Sequence, residues 1–514
     1  MKKAISIILC FVLITSLFVA CDKSESGSNA GSNNQFSVGY GIADISPKES
    51  VMLGGFGDHE ERYSTKVTEP LKVTCIAITG DDGETVLVLA CDLSNSYDVW
   101  TKPTRNAISE ATGVPFDHIM ITCSHTHSGP YIKAYPIYQE QVKNQAVIAA
   151  KQAMEDRAPA TMLGSYTRVE EKVNCNRHYL LVDGTYMAES VGTISKDKLI
   201  GHFTNPDNLL QVVKFDREEK KDIVMMNWQG HYLGSKLDYN ACTSDYPGVM
   251  RATVEAALDC HSLFILSASG NLNSWSQFPN EMMFKYHTEL GQFLGNKVVN
   301  MVDNLQPMNT GKVQIAEVMQ PCRSNSVAGE MINIPIYALS FGDLGMVFAP
   351  YEMFDTSAMG VRDKSPFPMT MVASCSNESY SYVPTPPSWD WEYKYEVRIT
   401  MFEKGTAEEL EAKFVEMLDE QFNAAGYTPV EKGEGYITPE FVPFCDDVTY
   451  FNPTPGDMTA YKAVANGFYQ FYLLNGASLK PMLTNDKALA EQILNQETVK
   501  LIFNESNVVV GIAS

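Results

Sequence analysis

The chain has 514 residues, of which 45% are hydrophobic, and its formal net charge at pH 7 is −23. Such a length predicts two or three domains with enough residues for a large core. The hydrophobic content excludes general disorder. A surface this negative repels phosphate backbones, so we expect no nucleic-acid partner.

The N-terminus is typical of a secretory leader. Met-Lys-Lys precedes an apolar run over 4–20, which predicts a signal peptide over 1–20. The run is short for a membrane span and contains serine and threonine, which disfavours a transmembrane anchor. It ends in Leu-Phe-Val-Ala-Cys, which resembles a bacterial lipobox and predicts lipidation of Cys21. We therefore expect an extracytoplasmic protein that touches the membrane only through this anchor, with a secreted protein as the alternative. Residues 21–36, rich in Ser, Gly and Asn, predict a flexible tether.

The cysteines do not form a recognisable pattern. Of the 11 cysteines, Cys10 and Cys21 belong to the leader region, and the others are scattered without Cys-x-x-Cys spacing. This pattern fits neither a disulfide framework nor a cysteine-based zinc site. One or two disulfides remain compatible with the sequence, and their pairing stays open.

Strand-like and helix-like patterns then alternate along the chain. Predicted strands cover 39–47, 71–79, 85–91, 117–123, 161–171, 209–216, 222–228, 263–266, 312–318 and 345–349. Predicted helices cover 102–112, 139–156, 248–258, 283–304 and 407–424. This alternation, together with several hairpins, predicts an α/β fold with a large mixed-sheet sandwich as the catalytic domain over 37–428.

The last part of the chain has a different composition. Residues 429–514 begin with a stretch rich in Pro, Gly and aromatic residues. After it we predict helices over 460–474 and 487–494 and short strands over 499–503 and 508–512. The pattern indicates a small α/β C-terminal domain of unknown role.

One motif has residue types suited to metal chemistry. The sequence Ser-His-Thr-His-Ser-Gly-Pro over 124–130 directly follows the predicted strand 117–123. On an extended backbone residues i and i+2 point to the same side, so His125 and His127 are expected to project together. Two neutral imidazoles facing one point are the start of a zinc site. Two polar histidines at a strand edge are the alternative.

Four further segments contain residue types that can bind a metal or a substrate. Some of them end a predicted strand, and the others lie close to such a segment. These are Gly-His at His231, Ser-Asp-Tyr-Pro-Gly over 244–248, Pro-Tyr-Glu at Glu352 and a tyrosine-rich stretch over 376–385. Each has a purely structural explanation when taken alone. His231 would then be a hydrogen-bonded core histidine, Glu352 a helix-capping acid, and Tyr380 and Tyr382 aromatic residues of a strand.

Taken in order, these segments resemble the neutral/alkaline, non-lysosomal ceramidase family over 37–425. The seven-residue histidine motif is the most specific element of the resemblance. The matching segments are Gly-Ile-Ala-Asp-Ile-Ser-Pro (41–47), the histidine motif (124–130), Asn-Arg-His-Tyr (176–179), Gly-His (230–231), Ser-Asp-Tyr-Pro-Gly (244–248), Pro-Tyr-Glu (350–352) and the stretch 377–385.

The resemblance implies a cofactor and its ligands. One catalytic Zn²⁺ would be held by His125, His231, Glu352 and Tyr382, with Tyr380 as the alternative if the local register slips by two. One carboxylate and two neutral imidazoles would leave the ion charged enough to lower the pKa of water to about 7.

The same resemblance implies roles for residues that do not bind the metal. His127 would accept the proton of the attacking water and pass it to the leaving amine. Arg177 and Tyr395 would hold the substrate carbonyl or the developing oxyanion.

The sequence departs from the family at one catalytic position. Ceramidases carry Gly-Asp/Asn-x-Ser-Pro-Asn after an apolar strand, whereas here Asn273 occupies the place of the serine and Trp275 follows. An amide side chain still donates a hydrogen bond to a carbonyl, so we retain Asn273 as a catalytic candidate. The departure leaves the sphingolipid specificity of the family open.

Together these features predict an enzyme. We expect a zinc-dependent hydrolase that cleaves an amide bond in an N-acyl substrate, either a small molecule or a ceramide-like lipid, with metal-activated water as the nucleophile. Two alternatives stay open at this point: a non-catalytic binding lipoprotein with the same fold, and a zinc esterase or lactonase.

Overall fold

A computed structural model describes most of the chain after residue 34. The described residues are 35–55, 61–181, 186–188, 199–231, 238–276, 281–391, 394–429, 431–432, 436, 449–453, 462–463, 469–475, 478–495, 499–504 and 508–512. The predicted leader over 1–20 and the predicted lipidation site Cys21 lie outside them. No helix among the described residues has an apolar stretch long enough to cross a membrane.

Six of the eight α-helices in the described part of the chain lie close to predicted positions, whereas Asp355–Lys364 and Tyr395–Ile399 were not predicted. Gly113 and Gly426 end two of the predicted helices in the left-handed conformation that favours glycine, with φ values of 77° and 72°. Short 3₁₀ turns cover Phe116–His118, Ile132–Ala134 and Pro386–Asp390. The α-helices are α1 (Asp98–Thr112), α2 (Pro136–Glu155), α3 (Asp245–Leu258), α4 (His287–Val302), α5 (Asp355–Lys364), α6 (Tyr395–Ile399), α7 (Thr406–Ala425) and α8 (Lys487–Leu494).

The strands alternate with these helices along the whole chain. They are β1 (Ser37–Asp44), β2 (Lys66–Glu69), β3 (Lys72–Thr79), β4 (Thr85–Cys91), β5 (Ile119–Cys123), β6 (Ala158–Arg168), β7 (Cys175–Asn176), β8 (His178–Leu181), β9 (Tyr186–Ala188), β10 (Leu199–His202), β11 (Leu209–Arg217), β12 (Ile223–Trp228), β13 (Ala241–Thr243), β14 (His261–Leu266), β15 (Leu272–Asn273), β16 (Gln306–Met308), β17 (Val313–Arg323), β18 (Met331–Phe341), β19 (Leu344–Phe348), β20 (Glu352–Met353), β21 (Met369–Ala373), β22 (Tyr382–Val383), β23 (Thr449–Pro453), β24 (Lys462–Ala463), β25 (Tyr469–Asn475), β26 (Ser478–Thr484), β27 (Val499–Phe503) and β28 (Val509–Ile512).

Two mixed sheets form the centre of the fold. The larger has the strand order β14-β12-β11-β6-β1-β3-β4-β5, with β16 pairing to β6. It contains antiparallel pairs such as β1 with β3 and parallel pairs such as β4 with β5. The second sheet has the order β17-β18-β19-β21. Mixed sheets flanked by helices confirm the predicted α/β class.

The two sheets stack face to face and each carries helices on its outer face. On β3, Val73 and Cys75 pack with residues of α1 to α4, whereas Ile76 and Ile78 point to the other side. That other side forms a second core with the four-stranded sheet. A third core lies between this sheet and helices α5 and α7. This alternation follows the two-residue period of a strand and gives an α/β/β/α sandwich, as predicted.

One predicted helix is wrong. The segment 460–474 contains β24 and β25, and β25 pairs in antiparallel register with β26. The sequence has Asn-Gly pairs, which are turn signals, at 466–467 and 475–476, on both sides of the aromatic-rich stretch Tyr469–Asn475. Turn signals at this spacing, around β-favouring aromatic residues, favour a hairpin over a helix.

The C-terminal part of the chain has a core of its own. Its strands β23 to β28 form a six-stranded sheet, and Phe471, Leu501 and Val509 from that sheet pack with Ile493 of α8. Tyr436 lies earlier and is buried in the core between the two large sheets. The separate domain over 429–514 stays a prediction, as does its role.

Candidate metal centre and active site

Five of the predicted site residues follow buried strands. His125 follows β5, His231 follows β12, Asn273 follows β14, Glu352 follows β19 and Tyr382 follows β21. These strands are fixed by their place in the two stacked sheets, so the chain segments after them have defined positions. The fold brings together segments that lie far apart in the sequence.

The first histidine has an unusual backbone conformation. His125 lies outside β5 and has a φ of 61°, in the left-handed region that non-glycine residues rarely adopt. Its backbone N–H donates to the Leu93 carbonyl oxygen at 3.0 Å. The rings of His125 and His127 lie 4.7 Å apart. The two histidines therefore do point together, but through this local turn and not through an extended strand.

Three imidazoles meet at one point. Nε2 of His127 lies 3.2 Å from Nε2 of His125 and 3.2 Å from Nε2 of His231. All three side chains are buried. Three ring nitrogens at this spacing are a donor set that can hold a metal ion.

The hydrogen bonds on the far side of two rings define their tautomers. Nδ1 of His125 lies 2.6 Å from the Ser94 carbonyl oxygen, and Nδ1 of His231 lies 3.1 Å from the Ser269 carbonyl oxygen. A carbonyl only accepts, so in the neutral imidazole the proton is on Nδ1 and the lone pair is on Nε2. Both lone pairs therefore point into the cluster. This orientation by backbone carbonyls is typical of histidines that bind metals.

A carboxylate completes the donor set. Oε2 of Glu352 lies 3.3 Å from Nε2 of His125, and the Glu352 side chain is 13% exposed. Glu352 pairs with Tyr382 in the parallel register of β20 and β22, and the Tyr382 phenol hydrogen-bonds to the Glu352 side chain. Tyr380 instead donates to Glu378 at 2.6 Å. Nitrogen and oxygen donors in this combination fit a zinc ion.

The four groups have strongly shifted pKa values. Burial is the largest influence on the pKa of His125 and lowers it, but Glu352 and Cys375 together outweigh burial and hold that pKa well above its ordinary value. Burial, reinforced by His125, lowers the pKa values of His127 and His231 well below the ordinary range. Burial raises the pKa of Glu352, but His125 and Tyr382 outweigh it and the net shift is downward. His127 and His231 are consequently neutral at pH 7.

A buried arginine lies beside this cluster. Nε and Nη2 of Arg177 bind Oε1 of Glu396 at 2.9 Å and 2.8 Å, and His178 contacts the other carboxylate oxygen at 3.2 Å. The guanidinium carbon lies 5.4 Å from the ring centre of Tyr382 and 5.7 Å from that of Tyr395. The structure thus places a fixed positive charge and two phenols next to the metal donors.

Solved structures with the same architecture exist. Neutral ceramidase from Pseudomonas aeruginosa aligns with a TM-score of 0.60 at 13% sequence identity, over 93% of this chain and 98% of that chain. A ceramidase complexed with C2 aligns with a TM-score of 0.61 at 12% identity, over 93% of this chain and 99% of that chain. The chain has the neutral ceramidase fold. No family model matches the sequence, and no curated protein sequence matches it.

The ceramidase fold places Asn273 in a defined position. Asn273 is fully buried in β15 and pairs with Cys175 in β7, the strand that leads into Arg177. The preceding Asn271 accepts from the Arg177 backbone N–H at 2.9 Å and donates to the Asp355 carboxylate at 2.7 Å. The turn in which this chain departs from the ceramidase motif is therefore joined to both the arginine segment and the Glu352 segment.

Several groups that shape this site were not identified from the sequence. The carbonyls of Ser94 and Ser269 orient two imidazoles, and every residue has a carbonyl, so no sequence signal marks these two. Glu396 binds the Arg177 guanidinium, and His178 contacts the other oxygen of the same carboxylate. His178 directly follows Arg177, and Glu396 directly follows Tyr395. A titratable side chain next to a predicted site residue is a sequence signal that could have identified both.

Gly55 provides a test of the position of the His127 ring. Its φ is +103°, and a Cβ there would lie 2.3 Å from Cγ of His127. We expect Gly55→Ala to displace the ring and to lower turnover about 10²-fold, the effect of roughly 1 Å of misplacement. Gly113→Ala is the matched control, because Gly113 also has a positive φ, +77°, and no atom lies within 4 Å of an added Cβ. Equal turnover rates for the two variants would contradict a role for the ring.

Proposed function

We propose that this protein is a zinc-dependent hydrolase that cleaves an amide bond in N-acyl substrates. The convergence of three buried imidazole nitrogens with the Glu352 carboxylate is the observation that carries the proposal. The ceramidase fold supports it, since the two solved structures compared above are of ceramidases.

The ligands we assign are His125, His231, Glu352 and Tyr382. When bound, a zinc ion at these residues would supply the Lewis acidity that lowers the pKa of water to about 7. Because Nδ1 of each ring faces a carbonyl oxygen, the neutral imidazoles of His125 and His231 present their Nε2 lone pairs to the metal. The hydrogen bond between Tyr382 and Glu352 orients the carboxylate toward His125.

We assign proton transfer to His127. Its ring is buried and neutral, and its Nε2 lies at the centre of the donor cluster, 3.2 Å from each neighbouring imidazole nitrogen. A neutral imidazole in this position accepts a proton from the attacking water and returns it to the leaving amine.

We assign the substrate carbonyl to the groups beside the cluster. Glu396 binds two nitrogens of Arg177 and so fixes the direction of the guanidinium. Its positive charge and the Tyr395 hydroxyl stabilise negative charge that develops on the carbonyl oxygen. The Asn273 amide, in the place of the ceramidase serine, is the third candidate donor.

Asn273 is also the observation that favours a second function. Loss of the serine is compatible with a lipoprotein that binds an N-acyl ligand without turning it over. A zinc esterase or lactonase would use the same donor set on a better leaving group. The proposed extracytoplasmic location and anchor at Cys21 are supported by the sequence of residues 1–21 alone.

Metal content and a small substrate panel distinguish these functions. We expect the purified protein to contain about one zinc ion per chain and to hydrolyse N-acyl amides, because an open zinc site with a nearby base is suited to that reaction. Removal of the ion with a chelator should abolish turnover, and added zinc should restore it. One bound zinc without turnover on any substrate would support the binding lipoprotein. Turnover restricted to esters or lactones would support the esterase, and absence of bound metal would contradict the proposal.

A further inference from the structure

The turn over 243–246 (Thr-Ser-Asp-Tyr) touches both chain segments that carry the histidines. We propose that it is a positioning element, which sets the distance between the two segments and thereby the affinity of the site for its metal. This inference rests on the proposed metal site and adds a role for residues that neither bind metal nor touch substrate.

The turn is joined to the first histidine segment by two hydrogen bonds. The Thr126 hydroxyl donates to the Thr243 carbonyl oxygen at 2.9 Å, and the Thr243 backbone N–H donates to the Ser128 carbonyl oxygen at 3.0 Å. All three residues are buried. Thr126 lies between His125 and His127, and Ser128 follows His127. These two bonds therefore fix the backbone of the segment that carries both histidines.

The turn is joined to the second histidine segment by one phenol. The Tyr246 hydroxyl donates to the Gly230 carbonyl oxygen at 3.0 Å, and Gly230 directly precedes His231. Tyr246 is 1% exposed. A Cβ on Gly230 would lie 2.7 Å from the Tyr246 hydroxyl oxygen, so the two groups are in close contact. A shift of Tyr246 would therefore move the backbone that carries His231.

The turn is itself held firmly. The Ser244 backbone N–H donates to the Glu69 carbonyl oxygen at 3.2 Å, and the Thr243 hydroxyl binds the Glu69 carboxylate. His287 of α4 contacts the same carboxylate at 3.3 Å. The Asp245 backbone N–H bonds back to the Thr243 hydroxyl at 2.9 Å, at the start of α3. The turn therefore holds both histidine segments in a fixed position relative to β2, α3 and α4.

The alternative is that these hydrogen bonds only stabilise the fold. A positioning role and a merely structural role differ in what they do to metal affinity. Groups that orient metal ligands from behind alter affinity by about 10–100-fold when they are removed. A hydrogen bond of equal strength elsewhere in the core leaves the affinity unchanged.

A pair of tyrosine variants tests this difference. In Tyr246→Phe the bond to Gly230 is lost. In the control Tyr138→Phe a buried bond of 2.7 Å to the Ile45 carbonyl is lost, and this bond joins α2 to the residue after β1 and does not involve a histidine segment. Zinc affinity is measured by competition with a chelator, and urea unfolding of the metal-free forms checks stability. We expect Tyr246→Phe to bind zinc about 10–100-fold more weakly, and Tyr138→Phe to bind it like the wild type.

Thr126→Val tests the other side of the turn with the same assay and covers the case in which Tyr246→Phe fails to fold. Thr104→Val, which removes a buried hydroxyl bond of 2.6 Å within α1, is its control. Wild-type affinity in both Tyr246→Phe and Thr126→Val would overturn the inference, as would equal losses in test and control variants. A wild-type protein that binds no zinc would contradict the proposed function itself and would remove the basis of the inference with it.

Discussion

Replacing His231 with alanine is expected to abolish stoichiometric metal binding and to reduce turnover to background. Its Nε2 lone pair points into the cluster because Nδ1 is held by the Ser269 carbonyl at 3.1 Å. Without this imidazole the assigned ligand set keeps a single histidine, His125, beside Glu352 and Tyr382. Zinc sites of this kind need three or four protein ligands, so the loss of one is severe. Elemental analysis of the purified variant measures the effect directly.

The fold should survive this replacement. The variant loses one buried hydrogen bond to a carbonyl, which costs about 1–3 kcal/mol when the acceptor stays buried. His118→Ala is a matched control, since Nδ1 of His118 lies 3.2 Å from the Thr85 carbonyl oxygen, and the residue is outside the cluster. The control should keep its zinc. Full zinc content in His231→Ala would show that His231 is not a ligand.

Replacing His127 with alanine should have the opposite pattern: zinc is retained and turnover falls. The loss of general acid–base help slows a reaction by about 10²–10⁴-fold. Burial lowers the pKa of His127 well below that of an ordinary histidine. The ring therefore gains a proton only in acid and is free to act as a base at neutral pH. The activity of the wild type should therefore decline in acid as this ring gains a proton, and that decline should be absent from the variant. Metal content, turnover and the pH profile are measured together.

The geometry also makes His127 a possible third imidazole ligand, and the same variant decides between the two roles. Its Nε2 is as close to Nε2 of His125 as to Nε2 of His231, 3.2 Å in both cases. If His127→Ala loses zinc, His127 is a ligand and the proton-transfer role is wrong. If zinc is retained and added imidazole restores part of the turnover, the base assignment is supported.

The class of fold and the order of the site segments followed from the sequence. Alternating apolar patterns predicted strands and helices because one face of each must be buried, and the structure confirms the α/β sandwich. The segment 460–474 was mispredicted because its apolar residues fit both the helical and the strand period, although Asn-Gly pairs in the sequence around them favour a hairpin. His125 and His127 were singled out because metal chemistry uses few residue types and both follow a predicted strand, whereas His231, Glu352 and Tyr382 were assigned as ligands from the resemblance to the ceramidase family.

Only the tertiary structure decided how these candidates meet. The His125 side chain points into the cluster because its backbone is in the left-handed conformation, which no local sequence pattern predicts. The carbonyls of Ser94 and Ser269 select the tautomers of two rings, and Tyr246 joins its turn to the second histidine segment. Backbone carbonyls are the same at every residue, and contacts between distant segments exist only after the sheets have stacked. A sequence therefore shows which side chains can bind a metal, whereas the distances and orientations that make them a site arise from packing.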